Sequence, residues 1–80
     1  MKIPAIKELV ENQPLETLRM AEEALINEET PQIAIKGDDE GEQLTHTIAA
    51  IWIIEKMQEE QLEFKDALRK YTEMVRGCIN

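Results

Sequence analysis

The sequence predicts an all-α fold: a small helical bundle of one short helix and three longer ones, with one short extended segment at about residues 32–36. Three observations lead there. Apolar residues recur every three or four positions through four separate stretches. The breaks between those stretches fall at Pro14, at Pro31 and at the glycine- and acid-rich run 37–42, where helices stop or start. Only one stretch alternates with period two. A chain of 80 residues has room for a single domain, residues 1–80, and no more.

The first helix spans Ile3 to Asn12, with Ile3, Ile6, Leu9 and Val10 at helical spacing. Pro4 fits its first turn, where no amide donor is needed. Pro14 interrupts the pattern, because its ring clashes with the preceding turn, and Asn12 or Gln13 is placed to cap the second helix. Leu15, Leu18, Ala21, Leu25 and Ile26 mark that helix to about Asn27, with Glu16, Arg19, Glu22 and Glu23 outside. Thr30-Pro31 ends it, since a residue before proline avoids the helical region. The segment Gln32 to Lys36 sets Ile33 and Ile35 on one side. A lone strand cannot satisfy its own backbone, so this piece is either merely extended or pairs with a second chain.

Asp38 or Asp39 caps the third helix, and the acids around it favour the positive end of the helix dipole. That helix runs from about Asp39 to Glu60, roughly 30 Å at 1.5 Å per residue. A compact domain of this size has a radius of gyration near ~12 Å, so the helix nearly spans it. Its centre, Ile48 to Ile54, has no polar residue in seven positions, and seven positions cover every direction around a helix. Two short N-terminal helices and one C-terminal helix leave part of it bare, and a second copy of the chain would cover the rest. The expectation is a homodimer, with Ile48, Ile51, Trp52, Ile53, Ile54, Ile33 and Ile35 as interface candidates. After a turn at Leu62, the positions Phe64, Ala67, Leu68, Tyr71, Met74, Val75 and Cys78 form the clearest amphipathic helix. Asp66 with Lys70 and Arg69 with Glu73 are favourable pairs one turn apart. Gly77 weakens the last turn, and Ile79-Asn80 are expected to fray.

Charge narrows the function classes. There are 17 acidic against 9 basic side chains, a formal charge of −8. Fourteen of the acids but only five of the bases lie in residues 1–62, which leaves the last helix mildly basic. An acidic surface argues against nucleic acid, whose phosphates need clustered Lys and Arg, and against an anionic membrane surface. The longest uncharged run, Gln43–Ile54, has 12 residues, short of the ~20 that span a bilayer. No secretory signal is legible, and one unpaired cysteine suits a reducing cytoplasm. One His and one Cys cannot furnish a four-ligand zinc site, so association is the remaining aid to a small core.

Few residues could carry chemistry. Glu42 and His46 lie one turn apart and could form a two-ligand metal site or a carboxylate-oriented base. The di-iron spacing, however, needs a carboxylate at position 43, where Gln43 stands. The plainer reading is a surface or interface imidazole between Thr45 and Thr47. Asp38, Asp39, Glu40 and Glu42 are consecutive rather than alternate, and Gly41 is misplaced for a calcium loop, so they read as a capping run. Cys78 near a helix C-terminus reads as a core or interface thiol. Lys65, Arg69 and Arg76 share one side of the last helix. They either snorkel around the apolar stripe or meet the Asp38–Glu42 cluster of another copy. Met20, Met57 and Met74 read as packing material. No phosphate loop, nucleophile elbow or cysteine pair is present, and no catalytic residue or cofactor is expected.

The stretch Lys36-Gly37-Asp38-Asp39-Glu40-Gly41-Glu42-Gln43-Leu44-Thr45-His46, with Ile48-Ala49-Ala50-Ile51-Trp52 after it, resembles a family of small uncharacterised bacterial proteins. The opening Met1-Lys2-Ile3-Pro4 and the run Asp66-Ala67-Leu68-Arg69-Lys70-Tyr71-Thr72 resemble it too, so the likeness covers nearly the whole length. It implies a complete chain of about 80 residues and carries no activity, cofactor or site residue with it. The order of one strand and two helices in residues 32–79 also resembles ribbon-helix-helix repressors. Lys36 is the strand's only basic residue, and an acidic helical segment precedes it, so the topology would survive without DNA binding.

The reading is therefore a small acidic interaction or regulatory module, non-enzymatic and homodimeric. One rival is a metal-binding protein or enzyme whose site is built across the dimer from Glu42 and His46 of each copy. Another is an acidic mimic that binds a nucleic-acid-binding protein.

Overall fold

In a computed structural model, which describes residues 2–77, the chain forms α1 (Ile3–Asn12), α2 (Leu15–Ile26), α3 (Glu40–Glu60) and α4 (Phe64–Gly77). No strand occurs among the described residues. The architecture is the small all-α bundle that the apolar spacing requires. Cys78, Ile79 and Asn80 lie outside the described residues, so the expectations for the thiol and the frayed end fall there too.

Pro4 sits in the first turn of α1, which buries Ala5, Ile6 and Leu9. The corner to α2 differs from expectation. Neither Asn12 nor Gln13 caps α2; Pro14 occupies the N-cap in extended backbone (ψ 157°) with no side-chain bond. Gln13 instead closes α1, its N–H donating to the Leu9 carbonyl at 3.0 Å. A proline at the cap makes the corner tight, and its carbonyl still accepts the Leu18 N–H at 3.1 Å.

α3 is the hub, with α1, α2 and α4 each packed chiefly against it. Its 21 residues at 1.5 Å per residue give roughly 31 Å. That equals the longest dimension of the molecule, 31 Å, with a radius of gyration of 12.2 Å. The core joins Ile6 and Leu9 of α1, Leu18, Ala21 and Leu25 of α2, Ala49, Ala50 and Ile53 of α3, and Ala67 and Tyr71 of α4.

The seven-residue apolar centre of α3 needs correction. Ala49, Ala50 and Ile53 are fully buried, and Ile51 and Ile54 are buried too. The single chain covers them because α1 and α2, folded back at Pro14, shield one side while α4 shields another. Only Ile48, 40 % exposed, and the half-buried Trp52 remain at the surface. Ile35 is also buried, whereas Ile33 is half-buried. Residues 32–36 belong to no helix or strand, the backbone bending at Gln32 and Ile33, and they make no backbone pairing among the described residues.

Two helix ends use left-handed backbone at non-glycine residues. Glu28 (φ 60°) follows α2 and Gln61 (φ 55°) follows α3. In each case an amide reaches back past the usual helical partner to close the end: Glu29 N–H to the Ala24 carbonyl at 2.7 Å, Leu62 N–H to the Met57 carbonyl at 3.2 Å. These closures satisfy carbonyls that the helix leaves unpaired.

Candidate functional site

The first candidate is the corner where the start of α1, the extended segment and the first turns of α3 meet. Asp39 caps α3, its carboxylate accepting the Glu42 N–H at 2.7 Å. Glu42 in turn accepts the Asp38 N–H at 3.4 Å, so the acid run is a reciprocal cap. Gly37 packs against the same turn. A Cβ there would lie 2.9 Å from the Gln43 backbone nitrogen and 2.8 Å from its Cγ, so only glycine lets the segment come so near.

That approach places the Lys36 carbonyl 2.7 Å from His46 Nδ1. The other ring nitrogen, Nε2, accepts the Lys2 backbone N–H at 2.9 Å. The partners assign the tautomer: Nε2 is a bare acceptor, and Nδ1–H donates to Lys36. His46 is fully buried, so the expected surface or interface imidazole is instead an internal staple joining three chain segments. Ion pairs reinforce it, Lys2 with Asp38 at 3.4 Å and Lys36 with Glu8 at 2.8 Å.

Glu42 and His46 are brought together, with Glu42 Oε1 3.7 Å from Nε2. The pair is not poised for metal or base chemistry, because backbone groups fill both ring nitrogens and no solvent reaches the ring. No group of three or more metal-ligating side chains occurs among the described residues. Thr45 and Thr47 donate to carbonyls one turn back, Gly41 and Gln43, which spends their hydroxyls locally. The corner therefore holds the fold.

The second candidate is an apolar face. Arg19 on α2 pairs with Glu55 on α3 at 2.7 Å. Trp52 on α3 lies against Tyr71 on α4, ring centroids 5.5 Å apart. Stepping two turns from the first contact puts Ile26 level with Ile48. Stepping one turn from the second puts Val75 there as well. Ile26 is 61 % exposed and Met74, beside Val75, is 42 % exposed. Helical spacing alone groups Ile26 with Leu25 and Met74 with Tyr71 as core. The structure corrects both, since α2 and α4 pack on α3 rather than on each other.

The end of α3 and the outer side of α4 carry charged side chains. Lys65, Arg69 and Arg76 make no ion pair among the described residues. Glu60 holds Lys70 at 2.8 Å and Lys56 at 3.3 Å. Hydrogen bonds from Lys70 and then Lys56 pull the Glu60 carboxyl below the usual glutamate range, and that carboxylate raises Lys70. Burial raises the Tyr71 phenol. Glu60–Lys70 and Trp52–Tyr71 fasten α4 to α3, while Lys56–Glu60 braces the end of α3 itself.

The third candidate is a groove of about 420 Å³ between α2 and residues 29–33. Met20, which the spacing assigns to packing, is an exposed wall of it at 62 %. Sequence periodicity shows no sign of it, because it depends on how the chain returns after Pro31.

Over residues 1–80 the chain matches the family described as a family of unknown function, DUF6952, and it belongs to that family. Neither a curated protein nor a solved structure matches it.

Proposed function

We propose that this DUF6952 chain is a small acidic interaction module, non-enzymatic, that acts as a homodimer through the face carrying Ile26, Ile48, Trp52 and Met74. One observation carries the reading. Three of the five large hydrophobic side chains most exposed on the surface, Ile26, Ile48 and Met74, belong to one level of the bundle on three different helices. Each alone is ordinary on a surface, but three gathered at one level of the bundle can form an apolar face that marks an interaction site. A two-fold axis through Ile48 would lay this patch on itself, giving a closed dimer. Association adds to the stability of a domain this small even when its core is already covered.

The reading also places the protein in the cytoplasm, where a single unpaired cysteine stays reduced. No helix of the described residues is long and apolar enough to cross a membrane. The ribbon-helix-helix alternative has less support, because Ile35 already turns into its own chain's core.

Sedimentation velocity over about 5–100 µM protein, where a dimer of micromolar Kd would populate, tests the reading at low and high salt. A dimer is expected that strengthens with salt, since two copies of charge −8 repel. The double variant I26S/I48S should sediment as a monomer with unchanged helicity. A wild-type monomer throughout that range overturns the proposal.

A further inference from the structure

The groove between α2 and residues 29–33 lies away from the dimer face, on the other side of α2. Its wall is apolar at Met20, Ala24 and Ile33 and polar at Thr17, Gln32 and Glu29. Met20 is more exposed than any other large hydrophobic side chain described, and the groove gives it a place for a partner's side chain to cover it. We infer that this groove is a docking site for a basic amphipathic segment of another protein, with one apolar side chain seated on Met20 and Lys or Arg at its edges.

Charge complementarity selects that occupant. Glu16 and Glu23 stand one turn to either side of Met20, Glu29 lines the groove, and Glu28 precedes it. All four are exposed, and none has an ion-pair partner among the described residues. The only cation on α2, Arg19, is turned away to Glu55. The acids also gather at the C-terminal end of α2, where the last turn holds no base and the helix dipole is itself negative. An acidic or neutral peptide would bring no counter-charge to this rim. A cationic one supplies it while covering Met20, in the helix-in-groove manner.

A second copy is the poorer occupant. Its basic α4 would dock head to tail, and such contacts generate open chains rather than a closed dimer. Residues 30–33, which bend at Gln32 and Ile33, make no backbone–backbone hydrogen bond among the described residues, so their amides and carbonyls can bind an incoming chain directly.

The test is titration of isotope-labelled full-length protein with two 14-residue amidated peptides, one of Lys and Leu at helical spacing and one with Glu for Lys. Amide shifts are expected for the Lys/Leu peptide over residues 16–33, with affinity falling as salt rises. The variant M20S should weaken binding at least fivefold without altering its salt dependence. The variant E16Q/E23Q/E29Q should weaken it at least tenfold at low salt and flatten that dependence. Shifts centred on Ile48 and Trp52, equal binding of the Glu/Leu peptide, or equal affinity in both variants each overturn the inference. So does a change of the groove resonances on simple dilution, which would identify a second copy as the occupant. The dimer proposal is read separately, from sedimentation.

Discussion

Replacing His46 with leucine tests the staple at the α1–α3 corner. The leucine fills similar space, so the cost lies in two hydrogen bonds: Lys2 N–H to Nε2 at 2.9 Å and Nδ1–H to the Lys36 carbonyl at 2.7 Å. A lost hydrogen bond costs about 0.5–1.5 kcal/mol net, and a partner left unsatisfied about 1–3. Lys2 and Lys36 are exposed, so water can partly satisfy their backbone groups, which holds the sum to about 2–4 kcal/mol. A domain of this length has about 4–12 kcal/mol in total, so the loss takes a large share of it. Urea unfolding followed by Trp52 fluorescence measures the change, because Trp52 packs against Tyr71 in the native state. The variant His46→Asn can keep the donor toward Lys36 and should recover part of the loss. Hydrogen exchange should show the first turn of α1 opening before the rest. A leucine variant within about 0.5 kcal/mol of wild type, below the cost of even one lost bond, would refute the staple.

The Gly37→Ala change should destabilise the fold by about 1–3 kcal/mol, because the new Cβ would meet Gln43 backbone at 2.9 Å; the urea midpoint reports it. Gln61→Gly should do the opposite and stabilise by about 0.5–1 kcal/mol, since φ 55° burdens a residue with a Cβ and suits glycine. Thermal unfolding by circular dichroism checks that change, and a lowered midpoint would contradict it.

Why the elements lie where they do was legible residue by residue. The extent of α1 followed from Pro4 and Pro14, and the start of α3 from Asp39, because caps and proline act within one turn. The alternation at 32–36 marked a break between helices but not its shape, since the backbone there bends at Gln32 and Ile33. What misled was the apolar run of α3. Counting its hydrophobic positions says how much surface must be hidden but not how much the neighbouring helices hide, and the chain covers Ile51, Ile53 and Ile54 by itself. His46 misled for the same reason. Flanking threonines suggested a surface ring, while its partners Lys2 and Lys36 lie 44 and 10 residues away.

The order of residues alone determined that this is a helical, acidic chain with four segments and a longer break after the second, since helix periodicity, capping and charge are properties of near neighbours. Only the tertiary arrangement decided that a buried imidazole would clasp the N-terminus, that Ile26, Ile48 and Met74 would share one level, and that Met20 would be left beside an acidic groove. Those outcomes depend on the register between helices and on the path after Pro31, which the packing of distant side chains sets and which no local pattern encodes.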